Sequence, residues 1–187
     1  LHITANKIIS GADTSYTSAR LITKNKGDWK YGKIEVSAKV AKGLGLCSAV
    51  WMMPTEWKYG NWPSSGEIDI MEHIEWTKDT IYQTIHTGAY NHVKKTQKGK
   101  RTYVKGASED FHVYAVEWNA EGINYYLDGV HCYYFPNEHK TSEEWPFDSP
   151  FHLIINISVG GRWEGAFGID PNIFPATMMI DYVRVYK

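Results

Sequence analysis

The sequence has few cysteines, almost no excess of charge and no long apolar run. Cys47 and Cys132 are the only cysteines among 187 residues, too few for a disulfide framework, and they do not identify the compartment. Lys and Arg number 20 against 21 Asp and Glu, so the net charge is −1. Nucleic acid or an anionic membrane surface, which attracts basic proteins, is therefore not expected as the main partner. No apolar segment approaches the roughly 20 residues of a membrane-spanning helix, and no signal peptide is visible in these residues.

Internal repeats and the apolar stripe of an amphipathic helix are also missing. Instead, short runs of β-branched and aromatic residues, many of them alternating with polar ones, lie between Gly and Pro turns. Strands are predicted over residues 33–40, 80–86, 111–118, 151–159 and 178–186, with a hairpin over 122–134 around Asp128-Gly129. Many short strands favour an antiparallel sandwich or barrel. We expect residues 1–187 to form one domain of two stacked sheets, with the functional site on a face of one of them.

Three acids, Glu67, Asp69 and Glu72, lie in one further predicted strand together with Ile68 and Ile70. The isoleucines alternate with the first two acids, so a strand that buries the isoleucines turns those acids to its other face. Glu72 would point into the core unless one β-bulge near Ile70 inserts an extra residue. With that bulge the acids share a face, and mutual repulsion makes at least one of them hold its proton to higher pH.

Acids placed in this way suit glycoside hydrolysis. A retaining glycosidase uses two carboxyl groups about 5–5.5 Å apart, one as nucleophile and one as general acid, and Glu67 and Glu72 can lean together to approach that distance. Asp69, between them, can hydrogen-bond Glu67 and modulate its charge. Two other interpretations stay open: a row of acids on a solvated strand, or a Ca²⁺ or Mg²⁺ site with His73 or His86 as a further ligand.

The segment Glu67-Ile68-Asp69-Ile70-Met71-Glu72 resembles the bulged Glu-x-Asp-x-x-Glu signature of glycoside hydrolase family 16, in its laminarinase-type endo-β-1,3-glucanase form. The resemblance extends over essentially the whole chain and includes segments 16–20, 30–35, 49–54, 114–118, 155–161 and 180–186. It implies an all-β jelly roll like concanavalin A, with a substrate cleft on the concave sheet. The family usually has further residues before the position that matches Leu1, so the domain is expected to lack the family's N-terminal strand region.

Roles for individual residues follow from the same resemblance. It implies that Glu67 is the nucleophile, Glu72 the general acid/base and Asp69 the assisting carboxylate, with no cofactor for catalysis. Aromatic residues reach 14% of the chain, and such rings stack on the C–H faces of sugars. The side chains expected to bind substrate are Arg20, Trp51, Trp62, His86, Glu117, Asn156 and Trp163.

Two further expectations concern a metal and a charged segment. The resemblance implies that Asp181 is a ligand of a structural calcium ion. The basic run that ends at Lys98, Lys100 and Arg101 is expected to be a solvated loop rather than an anion site. His73 is expected to face away from the acids and to be structural.

The function expected from the residues and the resemblance is endo-acting, retaining hydrolysis of β-1,3 bonds in laminarin-type or mixed-linkage β-glucans. The alternatives are a non-catalytic β-glucan-binding module of the same fold, or a relative acting on another polysaccharide such as agarose or carrageenan. The expected partner is a polysaccharide, and the chain is expected to be a monomer without membrane insertion. Because polymeric glucans do not enter cells, the expected location is extracellular, periplasmic or at the cell surface.

Overall fold

Strands form nearly all the regular structure in the computed structural model, which describes residues 1–187. Their bounds are β1 (His2–Ser10), β2 (Asp13–Thr17), β3 (Arg20–Ile22), β4 (Asp28–Trp29), β5 (Gly32–Lys39), β6 (Leu46–Pro54), β7 (Glu67–Ile74), β8 (Thr80–His86), β9 (Lys98–Tyr103), β10 (His112–Trp118), β11 (Gly122–Leu127), β12 (Val130–Pro136), β13 (Phe151–Val159) and β14 (Ala176–Tyr186). One 3-10 helix, Glu75–Thr77, follows β7. No helix has the length and apolar character that a membrane span requires.

The strands form two antiparallel sheets. Sheet I has the order β12-β11-β10-β5-β14-β1-β2. Sheet II has the order β3-β13-β6-β7-β8-β9, and β4 also pairs with β13. The predicted sandwich of stacked sheets is therefore confirmed, with β7 in the interior of sheet II.

Most strand boundaries lie within two residues of the predicted ones, because period-two alternation dominates these segments. The predicted hairpin is formed by β11 and β12. Its turn residues Asp128 and Gly129 have φ of 49° and 77°, which a type I′ turn requires at both central positions.

The main core lies between the sheets and contains 32 buried residues. From sheet II it includes Ile68, Ile70 and Met71, and from sheet I it includes Val116 and Trp118, all at most 1% exposed. Burial of each large apolar side chain contributes about 1.5–3 kcal/mol. This packing pins the register of β7, since a slip by one residue would turn its isoleucines to the opposite face.

The other face of sheet II carries a smaller apolar cluster. Cys47, Ala49, Ile74 and Tyr82 are buried there, with Trp51 and Trp163 packed against them. These residues come from β6, β7 and β8 and from the segment after β13. They form the apolar part of the surface on which the acids lie.

The basic run predicted as a solvated loop is partly a strand. β9 pairs with β8 through Lys98 to Tyr103 and forms one edge of sheet II. Lysines are common on edge strands because their charge opposes pairing with another chain. The lysines of β9 leave it without the apolar alternation from which the other strands were predicted.

Candidate active site

A β-bulge in β7 brings the three acids to one face. Asp69 lies opposite Thr84 of β8, whereas Glu72 lies opposite Tyr82, so two residues of β7 face the single residue between them on β8. Those two residues, Ile70 and Met71, are both fully buried. The extra residue therefore turns Glu72 back to the face of Glu67, and the predicted bulge is confirmed.

The loop before β7 places an indole against the first acid. Trp62 donates a hydrogen bond from Nε1 to Oε2 of Glu67. The loop is fastened by Ser65, whose Oγ accepts from the amide of Tyr59 at 3.0 Å and donates to the carbonyl of Gly60 at 2.6 Å. These hydrogen bonds fix the loop that carries Trp62.

The charge of Glu67 is balanced between burial and hydrogen bonds. Burial raises the pKa of Glu67 above its usual value, and hydrogen bonds with Asp69 and Trp62 and the charges of His92 and Arg20 offset part of that rise. These donors stabilise the carboxylate. Glu67 is thus the acid whose surroundings favour the ionised form most.

Asp69 is the most deeply enclosed of the three acids, with 2% exposure. Burial raises the pKa of Asp69 well above its usual range, and the charges of Glu67 and Glu72 raise it further. A protonated Asp69 donates its hydrogen bond to Glu67, which accounts for the predicted pairing of these two groups.

His86 lies beside the same pair. Its Nε2 is 3.4 Å from Oδ2 of Asp69, and burial lowers the pKa of His86 to about 4. The potential ligand atoms of Glu67, Asp69 and His86 lie within 4.8 Å of one another, but a cation would compete with the proton of Asp69 and the indole donor on Glu67. At neutral pH His86 therefore lies beside Asp69 as a neutral imidazole.

Glu72 has the opposite balance from Glu67. Burial raises the pKa of Glu72 to about 8, with further contributions from the charges of Glu67 and Glu164. No hydrogen-bond donor stabilises its ionised form in the way that Trp62 serves Glu67. The surroundings therefore favour the ionised form at Glu67 more than at Glu72, as a nucleophile paired with a proton donor requires.

A groove over sheet II exposes both glutamates, and it has two halves that meet at Glu67, Glu72 and Trp163. The β9 half, with a volume of about 650 Å³, is lined mainly by β8 and β9. The β13 half, with a volume of about 190 Å³, is lined mainly by β6, β13 and Arg20 of β3. The reacting groups therefore lie in the middle of an open groove, which suits internal cleavage of a polymer.

The family model described as Glycosyl hydrolases family 16 matches residues 1–184. The chain belongs to glycosyl hydrolase family 16.

Solved structures and curated relatives agree with this membership. A beta-glucanase from Rhodothermus marinus is 50% identical over 179 residues, which cover 92% of this chain and 63% of that protein. The X-ray structure of the laminarinase from Rhodothermus marinus superposes with a TM-score of 0.95 at 46% identity and covers 100% of this chain and 76% of that one. SCLam, a non-specific endo-β-1,3(4)-glucanase, gives a TM-score of 0.92 at 44% identity and covers 100% of this chain and 71% of that one. The chain thus spans less than two thirds of the length of the Rhodothermus beta-glucanase.

Within this family 16 site, four of the predicted substrate-binding residues lie in the β13 half. Trp51 donates from Nε1 to Oδ1 of Asn156 at 2.8 Å, and the guanidinium of Arg20 lies 5.2 Å from the centre of the Trp51 ring. Trp163 lies where the two halves meet and packs edge-on against Tyr82. The structure brings these residues together, and their roles toward substrate stay predictions.

The two other predicted binders that lie near the acids are on the β9 side. Trp62 lies 5.9 Å from His86 and 4.9 Å from His92, measured between ring centres. His86 and His92 both line the β9 half. His73 faces the opposite way, as expected, and is 2% exposed.

Glu117 was expected in the cleft, and that position is wrong. It lies on β10 of sheet I and is exposed on the face away from the core, where it accepts a hydrogen bond from the hydroxyl of Tyr126. The alternation along β10 correctly predicted that Glu117 faces away from the buried side chains of Val116 and Trp118. The outer face of sheet I, however, is not the face that carries the groove.

Asp181 also belongs to sheet I, at the register shift of β14 between Ile180 and Tyr182. It is exposed and belongs to no cluster of three acidic, histidine or cysteine side chains. Since Ca²⁺ takes six to eight oxygen ligands, side chains at this position do not by themselves form a calcium site. Calcium at Asp181 stays a prediction, and no step of the chemistry requires it.

Sequence reasoning missed several groove residues. Glu164 lines the β13 half and accepts a hydrogen bond from Oγ of Ser158 at 2.7 Å. Arg162 lines the β9 half together with Arg101. The only signal for Arg162 and Glu164 was their position on either side of Trp163.

Proposed function

We propose that this chain is an endo-acting β-glucanase that hydrolyses β-1,3 bonds in laminarin-type or mixed-linkage β-glucans with retention of configuration. The observation that carries the proposal is the unequal preparation of two glutamates on one groove. Glu67 accepts hydrogen bonds from Trp62 and Asp69, whereas burial and neighbouring charge raise the pKa of Glu72 to about 8. Retaining glycosidases require this combination of a carboxylate and a carboxylic acid.

In the first step the carboxylate of Glu67 attacks the anomeric carbon and forms a glycosyl ester. Glu72 donates its proton to the glycosidic oxygen, so the C–O bond breaks and the leaving sugar departs as an alcohol. Asp69 keeps its hydrogen bond to Glu67 and holds the attacking oxygen in place. Glu67 loses its negative charge when the ester forms and regains it when the ester is hydrolysed in the second step.

In the second step a water molecule attacks the same carbon. Glu72, now ionised, takes the proton of that water, and the ester bond to Glu67 breaks to release the carboxylate. Two inversions at the anomeric carbon give net retention. Formation of the ester removes the negative charge of Glu67, which had raised the pKa of Glu72. The pKa of Glu72 therefore falls as Glu72 gives up its proton in the first step, and Glu72 is ionised in the second step.

The substrate class is supported by similarity. The Rhodothermus structure is a laminarinase, and SCLam is a non-specific endo-β-1,3(4)-glucanase. Aromatic rings at Trp51, Trp62 and Trp163 offer flat apolar surfaces to the C–H faces of glucose units. An extracellular, periplasmic or cell-surface location and a monomeric state are parts of the same proposal.

The test is a product analysis on laminarin, lichenan, agarose and xyloglucan. We expect laminarin to yield a ladder of oligosaccharides, lichenan to be cleaved as well, and proton NMR to detect the β-anomer first. Glu67→Gln should lower turnover at least about 10³-fold, while Glu121→Gln, at an exposed position in the turn between β10 and β11, should retain it. Cleavage of agarose alone, or an α-anomer as first product, would refute the assignment.

A non-catalytic glucan-binding module is the competing function. A module that only binds has no need of mutually repelling buried acids, which cost stability when they ionise. Laminarin affinity in the absence of any hydrolysis would favour the binding module over the enzyme.

A further inference from the structure

Cationic side chains without acidic partners line the β9 half of the groove. Lys98, Lys100, Arg101 and Arg162 all line it. The ion pairs of the chain involve other residues throughout. No carboxylate of this half neutralises these cations except the catalytic glutamates at its centre.

The register of β9 identifies which of its cations face the groove. Residues directly opposite each other in antiparallel strands share a face. Arg101 lies opposite Tyr82, which belongs to the groove face, whereas Lys100 lies opposite Gln83, which is 1% exposed and lies on the core side. Arg101 therefore projects over the groove, whereas the side chains of Lys98 and Lys100, which also border the β9 half, leave the edge strand on its other face.

An aromatic floor lies beside the two arginines. The rings of Tyr82 and Trp163 are 5.0 Å apart between centres and nearly perpendicular, at 85°. The guanidinium of Arg101 lies 5.2 Å from the centre of the Tyr82 ring, and Arg162 directly precedes Trp163 in the chain. Because Tyr82 is only 8% exposed, the exposed apolar surface here belongs to Trp163, and both arginines line the same half of the groove.

The floor toward β8 is open because of a glycine. Gly99 lies opposite Thr84, and a Cβ at position 99 would come within 2.1 Å of the carbonyl oxygen of Gln83. The close approach of the two strands requires glycine here, so no side chain fills the space between Thr84 and Arg101. A sugar unit with a substituent has room at this point.

We propose that Arg101 and Arg162, with the rings of Tyr82 and Trp163, form a subsite for a β-glucan unit that carries an anionic substituent, a carboxylate or a sulfate. The planar guanidinium group binds such oxyanions through two parallel hydrogen bonds. The ring of Trp163, supported by Tyr82, takes the apolar face of the same sugar. This inference rests on the proposed glucanase function and specifies the substrates that its β9 half accepts.

The central acids do not oppose this subsite strongly. Burial and neighbouring charge raise the pKa of Asp69 well above its usual range and that of Glu72 to about 8, so both acids hold their protons to higher pH than usual.

The experiment compares three substrates of similar length: laminarin, carboxymethylated laminarin and sulfated laminarin, each lightly substituted. At low salt the wild-type protein should cleave at least one anionic derivative with kcat/KM no lower than that for laminarin. The ratio of kcat/KM for the anionic derivative to kcat/KM for laminarin should fall as salt screens the charges. Arg101→Gln and Arg162→Gln should each lower the ratio of anionic to neutral kcat/KM about tenfold, as loss of one charged hydrogen bond does. The carboxymethyl and sulfate arms decide which anion the subsite prefers.

Arg184→Gln is the matched control. Arg184 lies on sheet I and, like Arg101, stacks on a tyrosine, with its guanidinium 3.9 Å from the centre of the Tyr182 ring. Its loss should leave the ratio unchanged. An equal fall in the ratio for Arg184→Gln would mean general attraction by the protein's charge and would overturn the subsite, as would an unchanged ratio in both groove variants.

Failure of the subsite can be separated from failure of the proposed function. Hydrolysis of laminarin with no dependence on Arg101 or Arg162 for the anionic derivatives refutes the subsite alone. If the wild-type protein cleaves none of the three substrates, the glucanase proposal fails, and calorimetric binding of carboxymethylated laminari-oligosaccharides decides the subsite. Affinity that falls about tenfold in the arginine variants supports it, and equal affinity in all variants refutes it.

Discussion

The two halves of the groove share the same pair of glutamates but differ in their charge and in how far their side chains are hydrogen-bonded to one another. In the β13 half, side chains are tied to one another: Trp51 binds Asn156, and Ser158 binds Glu164. In the β9 half, Arg101 and Arg162 have no acidic partner. One half is therefore organised before substrate arrives, whereas the other offers free charge.

The difference also bears on how each glutamate is tuned. Trp62 packs against His86 and His92 of the β9 half, and its hydrogen bond lowers the pKa of Glu67. Glu164 of the β13 half raises the pKa of Glu72. Contributions from opposite sides thus lower the pKa of Glu67 and raise that of Glu72, although burial raises the pKa of both acids and Arg20 of the β13 half also assists Glu67.

The largest effect is expected from removal of an acid that both halves share. Glu72→Ala should lower kcat for laminarin about 10²–10⁴-fold, because the leaving sugar loses its proton donor. An aryl β-glucoside whose phenol leaves without protonation should be affected much less in the glycosylation step, as measured by burst kinetics. Equal losses on the two substrates would show that Glu72 is not the acid.

The β9 side is tested next, with Trp62→Phe. The change keeps an aromatic ring but deletes the donor to Glu67, and we expect a loss of about tenfold in kcat/KM. Because that hydrogen bond lowers the pKa of Glu67, its loss raises the pKa, and the acidic limb of the pH profile should move to higher pH. Trp57→Phe, at an exposed indole outside the groove, should leave the profile as it is.

The β13 side is tested by Glu164→Gln, for which we expect a change of only a few fold at the pH optimum. Glu72 must be protonated to act, so its pKa sets the basic limb of the profile. The charge of Glu164 raises that pKa, and its removal should move the basic limb to lower pH. Glu109→Gln, at an exposed position, is the control, and a basic limb that does not move would separate Glu164 from Glu72.

The smallest effect concerns stability. The pKa of Glu72 is raised from 4.5 to about 8 in the folded protein, so the folded state binds this proton more tightly than the unfolded chain. Its contribution to stability is present below pH 4.5 and is lost as pH rises through about 8. Glu72→Gln should therefore raise Tm by a few degrees at pH 8, at roughly 2–4 °C for each kcal/mol, and by less at pH 5. Calorimetry at the two pH values would contradict this if the gain were equal.

Much of the fold could be predicted because the alternation of apolar and polar residues along each strand shows which of its faces is buried. The bulge in β7 could be inferred from Glu72 alone, since only an inserted residue gives this acid the face of Glu67. β9 could not be predicted, because an edge strand needs no apolar side and its lysines resemble those of a loop.

The site could be predicted only where its residues are close in sequence. The three acids lie within one strand, and Trp62 precedes them by a few residues. Arg101 and Glu164 come from distant segments, and nothing in their local sequence indicates a groove. Glu117 has the same alternation as a groove residue but lies on the other sheet.

The amino-acid sequence by itself determined the strand periodicity, the shared face of the acids and the family to which the chain is similar. Those properties depend on neighbours within a few residues, where backbone geometry is regular. Tertiary structure decided which outer face carries the groove, which distant cations and carboxylates border it, and how far burial raises the pKa of each acid. These properties depend on strand pairing and on the exclusion of water, which arise only when segments far apart in the chain pack together.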